Sequence, residues 1–188
     1  MKIVKPTPSC PEEEAYLAYI DEHRKNVYQA FVKFGKSICL CLSMVNGEYN
    51  TLKRYVSSHD SSKYSEDEFQ GYRQWFYPKE NENKNKDLFL KAWTHHYKTN
   101  RHHWEYWLEN NEPKEMSPIC IAEMLLDWIA MSIKFKNSPL TWYNENKDRI
   151  IIHKHTRQQV ERILSSLSKY PVYPFLIHKR RHNKHNKK

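Results

Sequence analysis

Residues 11–42 read PEEEAYLAYIDEHRKNVYQAFVKFGKSICLCL, and their apolar spacing decides the fold class. Tyr16, Ile20, Val27, Phe31, Phe34, Ile38 and Leu42 follow at steps of three, four or seven, the period of one helix face. The segment also carries start signals. Ser9 followed by Glu12 matches a capping box, Pro11 suits a first turn, and the acids at 12 to 14 complement the helix dipole. A long amphipathic helix is expected here, ending at Asn46-Gly47. His23 falls in the gap between Ile20 and Val27, so the same period turns it inward.

Working outward, a shorter helical stretch from about Tyr49 to Val56 leads to Ser57-Ser58-His59-Asp60. Ser65 and Glu68 form a second capping box, opening a helix through Phe69, Tyr72 and Phe76 that Pro78 stops. Residues 79–86 read as an exposed loop, and Asp87 suits the cap of the next helix, which carries His95-His96. Asn100-Arg101-His102-His103 either continues that helix or turns sharply. Ser117-Pro118 starts a helix to about Lys136 that places Glu123 and Asp127 one turn apart among apolar neighbours. A final helix begins near Thr156. The expected fold is an all-α bundle of about six to eight helices, a single domain over residues 1–170, followed by a basic tail at 171–188.

Composition agrees. The 188 residues suit one core, and with 14% aromatics they bury what the modest aliphatic content alone would not. Three glycines in the whole chain argue against a Gly-rich phosphate loop and against a strand-and-turn architecture. Six positive residues, Lys179, Arg180, Arg181, Lys184, Lys187 and Lys188, lie in the last ten, and without them the net charge falls from +9 to +3. Any nucleic-acid contact is therefore expected to be weak and confined to the tail. Cys10, Cys39, Cys41 and Cys120 show no CxxC pairing and read as reduced thiols. The N-terminus lacks the apolar run of a secretory signal, and no stretch reaches membrane-span length, so a cytoplasmic location is expected.

The inward-looking polar residues come in a particular order: His23, His59-Asp60, His95-His96, His102-His103 and Asp127. Neutral imidazole and carboxylate are the donors that suit Zn, Fe, Mn and similar ions, and ligands from several helices converge readily inside a bundle. Taken singly, each has a plainer explanation. A lone His23 is usually a satisfied core residue, Asp60 suits a turn, Asp127 suits a pair with Lys134 or Lys136, and the double histidines suit an aromatic packing surface with Trp93, Tyr97, Trp104, Tyr106 and Trp107. The ordered set is what argues for a site.

The series His23, His59-Asp60 and Asp127 resembles the signature of the HD-domain metal-dependent phosphohydrolase superfamily over roughly residues 12–135. His59-Asp60-Ser61-Ser62-Lys63-Tyr64, Glu68-Phe69, His95-His96, Asn100, His102-His103 and Asp127-Trp128 are also similar to an uncharacterised HD-like family of bacteria and their viruses. The resemblance implies one or two divalent ions (Mn, Fe, Zn, Co or Mg). His23, His59, Asp60 and Asp127 would hold the first, and Asp60 would bridge to a second completed by His96 and His103. His95 and His102 form a competing pair at the same seven-residue spacing, and members left unused would serve, with Asn100, Arg101, Glu105 and Glu123, as supporting or substrate-binding groups. Lys63, four residues after His59, matches the HDxxK variant, which implies an ammonium beside the scissile phosphate.

The implied activity is hydrolysis of a phosphate ester by metal-activated water, with a phosphorylated small molecule such as a nucleotide or cyclic nucleotide as substrate. The chain departs from the two-metal branch of the superfamily in lacking its Gly-Tyr-Pro motif, and from the single-metal nucleotidase branch in its extra histidines. Two other readings stand beside it: an HD-type mixed-valent diiron oxygenase, and a non-catalytic metal-containing module that binds nucleic acid or protein.

Overall fold

The computed structural model describes residues 4–169, so the basic tail and its proposed nucleic-acid contact lie outside the described residues. Those residues form an all-α bundle of seven helices with one two-residue hairpin. Helix α1 (Pro11–Cys41), 31 residues long, packs chiefly against α5 (Pro118–Phe135). α2 (Asn46–Ser58) lies against both. α3 (Phe69–Phe76) and α4 (Lys86–Thr99) form a tight pair at the other end. β1 (Leu108–Glu109) and β2 (Glu112–Pro113) make the hairpin, while α6 (Pro139–Asn146) and α7 (Lys154–Leu167) close the bundle.

Several element ends differ from the sequence expectations. Glu13, not Glu12, reaches back to the Ser9 backbone N–H at 2.8 Å and accepts from the Ser9 hydroxyl, because the N-cap is Cys10. Asn46 opens α2 instead of closing α1, and the turn lies at residues 42–45, with Ser43 at φ 55°. Asn85 caps α4 by accepting from Leu88 N–H, which leaves Asp87 inside the first turn. The hairpin turns through Asn110 and Asn111, both at positive φ, a backbone Asn tolerates. α6 carries a start signal passed over in the sequence: Ser138 before Pro139, with the Ser138 hydroxyl accepting from Thr141 N–H.

The apolar side chains fall into two groups. The larger joins Val27, Phe31, Phe34 and Ile38 of α1 to Leu52 and Val56 of α2 and to Ile121, Leu125 and Ile129 of α5. The smaller joins Tyr16, Leu17 and Ile20 of α1 to Phe69 and Tyr72 of α3 and to Ala92 of α4. Each fully buried large side chain contributes about 1.5–3 kcal/mol, so both groups hold their helices firmly. His23 lies on α1 between Ile20 of the small group and Val27 of the large one. The polar residues of interest therefore occupy a layer between two apolar cores. No helix among the described residues is long and apolar enough to cross a membrane.

Candidate metal centre

Four elements deliver the first group of side chains. His23 comes from mid-α1, His59 from the end of α2, Asp60 from the residue after it, and Asp127 from α5. His23 Nε2 lies 3.3 Å from His59 Nε2, 3.1 Å from Asp127 Oδ1 and 3.5 Å from Asp60 Oδ2. His59 Nε2 is 3.6 Å from Asp60 Oδ1 and 3.8 Å from Asp127 Oδ1.

The second group gathers around Oδ1 of Asp60, which His59 also approaches. Oδ1 is 3.3 Å from His96 Nε2 and 3.4 Å from His102 Nε2, and one donor atom from each of Asp60, His96, His102 and His103 falls within 4.8 Å of the others. α4 ends at Asn100, whose side-chain amide donates to the His96 carbonyl at 2.8 Å. The chain then doubles back through residues 101–103, and the Trp107 indole N–H pins the turn by donating to the Arg101 carbonyl at 2.8 Å. His96 and His103 are thus not two turns apart on one helix, and the loop carries both members of the second doublet inward. Of the second doublet, His102, expected as a supporting group or as the alternative to His103, faces Asp60 directly through its Nε2.

Asp60 Oδ1, His96 Nε2, His102 Nε2 and His103 Nε2 are all buried, and none has a hydrogen-bond partner among the described residues. A buried polar atom without a partner costs about 1–3 kcal/mol, and a partner shared among these atoms would offset that cost. Metal–ligand bonds of about 2.1 Å at angles near 90–109° put adjacent donor atoms about 3.0–3.4 Å apart. The separations of 3.3 and 3.4 Å in the second group and the shortest in the first, 3.1 and 3.3 Å, match that spacing, while the others in the first group run from 3.5 to 3.8 Å. The buried histidines and aspartates are positioned to hold a metal ion.

Carboxylates behind the histidines fix which nitrogen faces the centre. Glu123 Oε1 accepts from His59 Nδ1 at 3.0 Å and lies 3.5 Å from His102 Nδ1, while Glu68 Oε2 accepts from His96 Nδ1 at 2.7 Å. An ionised carboxylate only accepts, so these imidazoles present the Nε2 lone pair inward. The other oxygen of Glu68 takes His95 Nδ1 at 2.8 Å, which holds His95 one layer outside the donor set. Asn100 and Ser62 sit against His96 Nδ1 at 3.2 and 3.3 Å, and the Asn100 amide donates to the Ser62 hydroxyl at 2.7 Å.

The local field favours ionised carboxylates. Burial opposes ionisation of Asp60, but Lys63 and the imidazoles of His59 and His96 overcome it and hold the carboxyl well below the usual range. Asp127 is likewise held low against burial, by a hydrogen bond from His23 and the charges of His23 and His59. Burial also disfavours a charged His96, yet Asp60 and Glu68 raise its pKa. Burial, His102 and His96 push His103 well down, which keeps it neutral.

A pocket of about 180 Å³ opens over the centre, lined by His23, Asp60, His96, His103 and Asp127 together with Lys63, Tyr16, Tyr19, Tyr72, Phe76, Trp93 and Met131. Lys63 reaches into it and donates to Asp60 Oδ2 at 2.7 Å. A second hollow of about 230 Å³ is lined by the buried His59, His102 and Glu123 together with Asn100 and Arg101. Arg101 stacks over Tyr106 and Trp107 and bonds to none of the facing histidines through its side chain, because the turn at residues 100–103 directs it outward. Glu105 lies 3.9 Å from His103 Nδ1, and burial raises its pKa. Lys134 pairs with Glu22 at 2.7 Å, leaving Asp127 to the histidines.

Glu68 escaped notice as a site residue because Ser65-x-x-Glu68 fits a capping box. Its side chain instead turns inward, and only its proximity to the first His doublet in the fold reveals the role. Tyr16 and Tyr72 escaped because they fit the apolar stripe.

No curated protein and no solved structure matches the chain. A family match extends over residues 12–166, from the second residue of α1 to the next-to-last residue of α7, and includes every member of both donor groups. The chain therefore belongs to the family described as Family of unknown function (DUF5662).

Proposed function

We propose that this protein is a metal-dependent phosphohydrolase of HD type that cleaves a phosphate ester of a nucleotide-like small molecule. The observation that carries it is the arrangement around Asp60. One oxygen faces the unpartnered Nε2 atoms of His96 and His102, and the other faces His23 and the ammonium of Lys63. Two donor groups sharing one bridging carboxylate suit a pair of divalent ions drawn from Mn, Fe, Zn, Co or Mg.

Such ions supply Lewis acidity toward a phosphoryl oxygen and a water nucleophile at neutral pH. The chain's own residues do the rest. Glu123 and Glu68 fix the imidazoles, so no side chain has to reorganise as charge develops. Lys63 stands between Asp60 and the pocket, where its ammonium stabilises negative charge on the phosphoryl oxygens. Trp93, Phe76 and Tyr19 wall the pocket and limit bulk water.

The test is phosphate release from a panel of nucleotides and simple phosphate esters by Mn-, Co- or Mg-loaded protein under anaerobic conditions. Lys63→Met is expected to lower turnover by about 10²–10³-fold while leaving metal content unchanged. Fully loaded protein that releases no phosphate from any ester contradicts the proposal. One feature favours an oxygenase instead: imidazoles outnumber carboxylates in the donor set, which suits iron. Oxygen uptake by the iron form, without phosphate release by the others, selects that chemistry.

A further inference from the structure

Two tyrosines that line the pocket over the centre have no part in the chemistry above. Tyr16 and Tyr72 are 1% and 5% exposed, both line the pocket beside Lys63, and neither hydroxyl has a hydrogen-bond partner among the described residues. A buried tyrosine hydroxyl normally finds one. Tyr143 follows that rule, donating to Glu161 at 3.1 Å and accepting from Arg157 at 2.9 Å, and Tyr64 donates to Asp21 at 2.7 Å. Tyr16 and Tyr72 come from different helices and converge on one small space, so a single occupant satisfies both.

The chemistry of that occupant follows from what the wall offers. The carboxylates of the pocket, Asp60 and Asp127, are engaged by Lys63 and His23. The wall also holds the buried, unpartnered hydroxyls of Tyr16 and Tyr72 and the Lys63 ammonium, the latter 5.5 Å from the Tyr72 ring centre, with Tyr19, Phe76, Trp93 and Met131 completing the lining. Three donors facing a metal-binding cluster suit a compact anion with several acceptor oxygens. A phosphate monoester presents three non-esterified oxygens and a diester only two. The volume, about 180 Å³, is below the roughly 300–1,000 Å³ of pockets that enclose drug-sized ligands. The pocket therefore takes the phosphoryl end, and most of a nucleotide-sized molecule would lie outside it.

We propose that Tyr16, Tyr72 and Lys63 form an oxyanion subsite that receives the terminal phosphate of a monoester, with the hydroxyls donating to its peripheral oxygens. This rests on the phosphohydrolase reading for its substrate class, but the subsite is testable without turnover.

The experiment is calorimetric titration of inorganic phosphate and of dimethyl phosphate into metal-free and Mn-loaded protein. It compares the native chain with Tyr16→Phe, Tyr72→Phe and the double variant, with metal content measured in parallel. Each Phe keeps the ring and its packing, so metal content is expected to hold and phosphate affinity to fall about tenfold per hydroxyl. Dimethyl phosphate is expected to bind at least about tenfold more weakly than phosphate to the native chain. The melting temperature of the variants is expected to stay level or rise, because an unpartnered hydroxyl has been removed.

Phosphate affinity in the double variant within twofold of the native value overturns the subsite, as does a native chain that binds no phosphate. Lower melting of either single variant points to a structural bond and overturns it too. Dimethyl phosphate binding as tightly as phosphate overturns the monoester assignment. A chain that takes up no metal yet loses phosphate affinity on Tyr→Phe keeps the subsite and defeats the phosphohydrolase reading.

Discussion

Asp60 sits at φ 55° and ψ 17°, a left-handed conformation that costs most L-residues about 1–2 kcal/mol and that Asp and Asn tolerate best. The twist, with the short 3-10 turn that follows, aims one carboxylate at both donor groups and brings Lys63 back onto it. Asp60→Asn and Asp60→Ala are therefore expected to lose metal alike. Urea unfolding of the metal-free proteins should still show Asn the more stable by about 1 kcal/mol, since it tolerates the backbone. Equal stability of the two would remove the strain argument. Glu123→Gln probes the layer behind: metal affinity should weaken about 10–100-fold with the helical fold intact, as read by competition with a chelator dye and circular dichroism. At this scale the sequence was informative wherever residue order carried the signal. His23, His59, Asp60 and Asp127 were legible because helix period and sequence order are both one-dimensional. Glu68 was not, since its partner His96 is far away in the chain and the local pattern had an adequate alternative explanation.

Helices α3 and α4 meet more closely than side chains usually allow. A Cβ on Gly71 would stand 2.6 Å from Ala92 Cβ and 2.7 Å from the Leu88 carbonyl oxygen. Gly71→Ala must push α4 away, and with it His96. A loss of about 1–3 kcal/mol in unfolding free energy is expected, accompanied by weaker metal binding. Unchanged stability would show that the helices separate without cost. The loop between these helices is tied down by Glu82, which takes the Arg73 guanidinium on both oxygens and the Lys79 backbone N–H on one. Those bonds push the Glu82 pKa from 4.5 down to about 2. A carboxylate lowered on folding contributes stability above its unfolded pKa and loses it as pH falls through the folded value. The melting difference between the native chain and Glu82→Gln should therefore be present at neutral pH and vanish between pH 4.5 and about 2. A difference independent of pH would exclude the ion pair as its cause. Helix existence was legible from apolar period, whereas helix ends depended on which of two adjacent polar residues captured the free N–H groups. The end of α4 at Asn100 mattered most, because a straight helix would have offered one histidine of each doublet and the turn offers His102 and His103 together.

Across the whole molecule, a buried polar layer separates the apolar group around α1, α2 and α5 from the one around α1, α3 and α4. Cations in that layer would join the two, because the donor groups that share Asp60 draw on α1 and the segment at residues 59–60 on one side, and on α4 and residues 102–103 on the other. Since such a cation has no preformed site in the unfolded chain, free metal at about 100 times its dissociation constant should add about 2.7 kcal/mol of stability, and a chelator should remove it. The presence of two cores was not legible from the sequence. The stripe of α1 runs continuously past His23, and the division appears only when α3 and α4 choose the Tyr16–Ile20 end.

The most direct measurement is elemental analysis of untagged protein prepared without chelator, beside Asp60→Ala. The expected result is near-stoichiometric Mn, Fe, Zn, Co or Mg in the native chain and its loss from the variant. Absence of metal from the native chain even after reconstitution, or equal metal in both proteins, would contradict a metal centre built on Asp60.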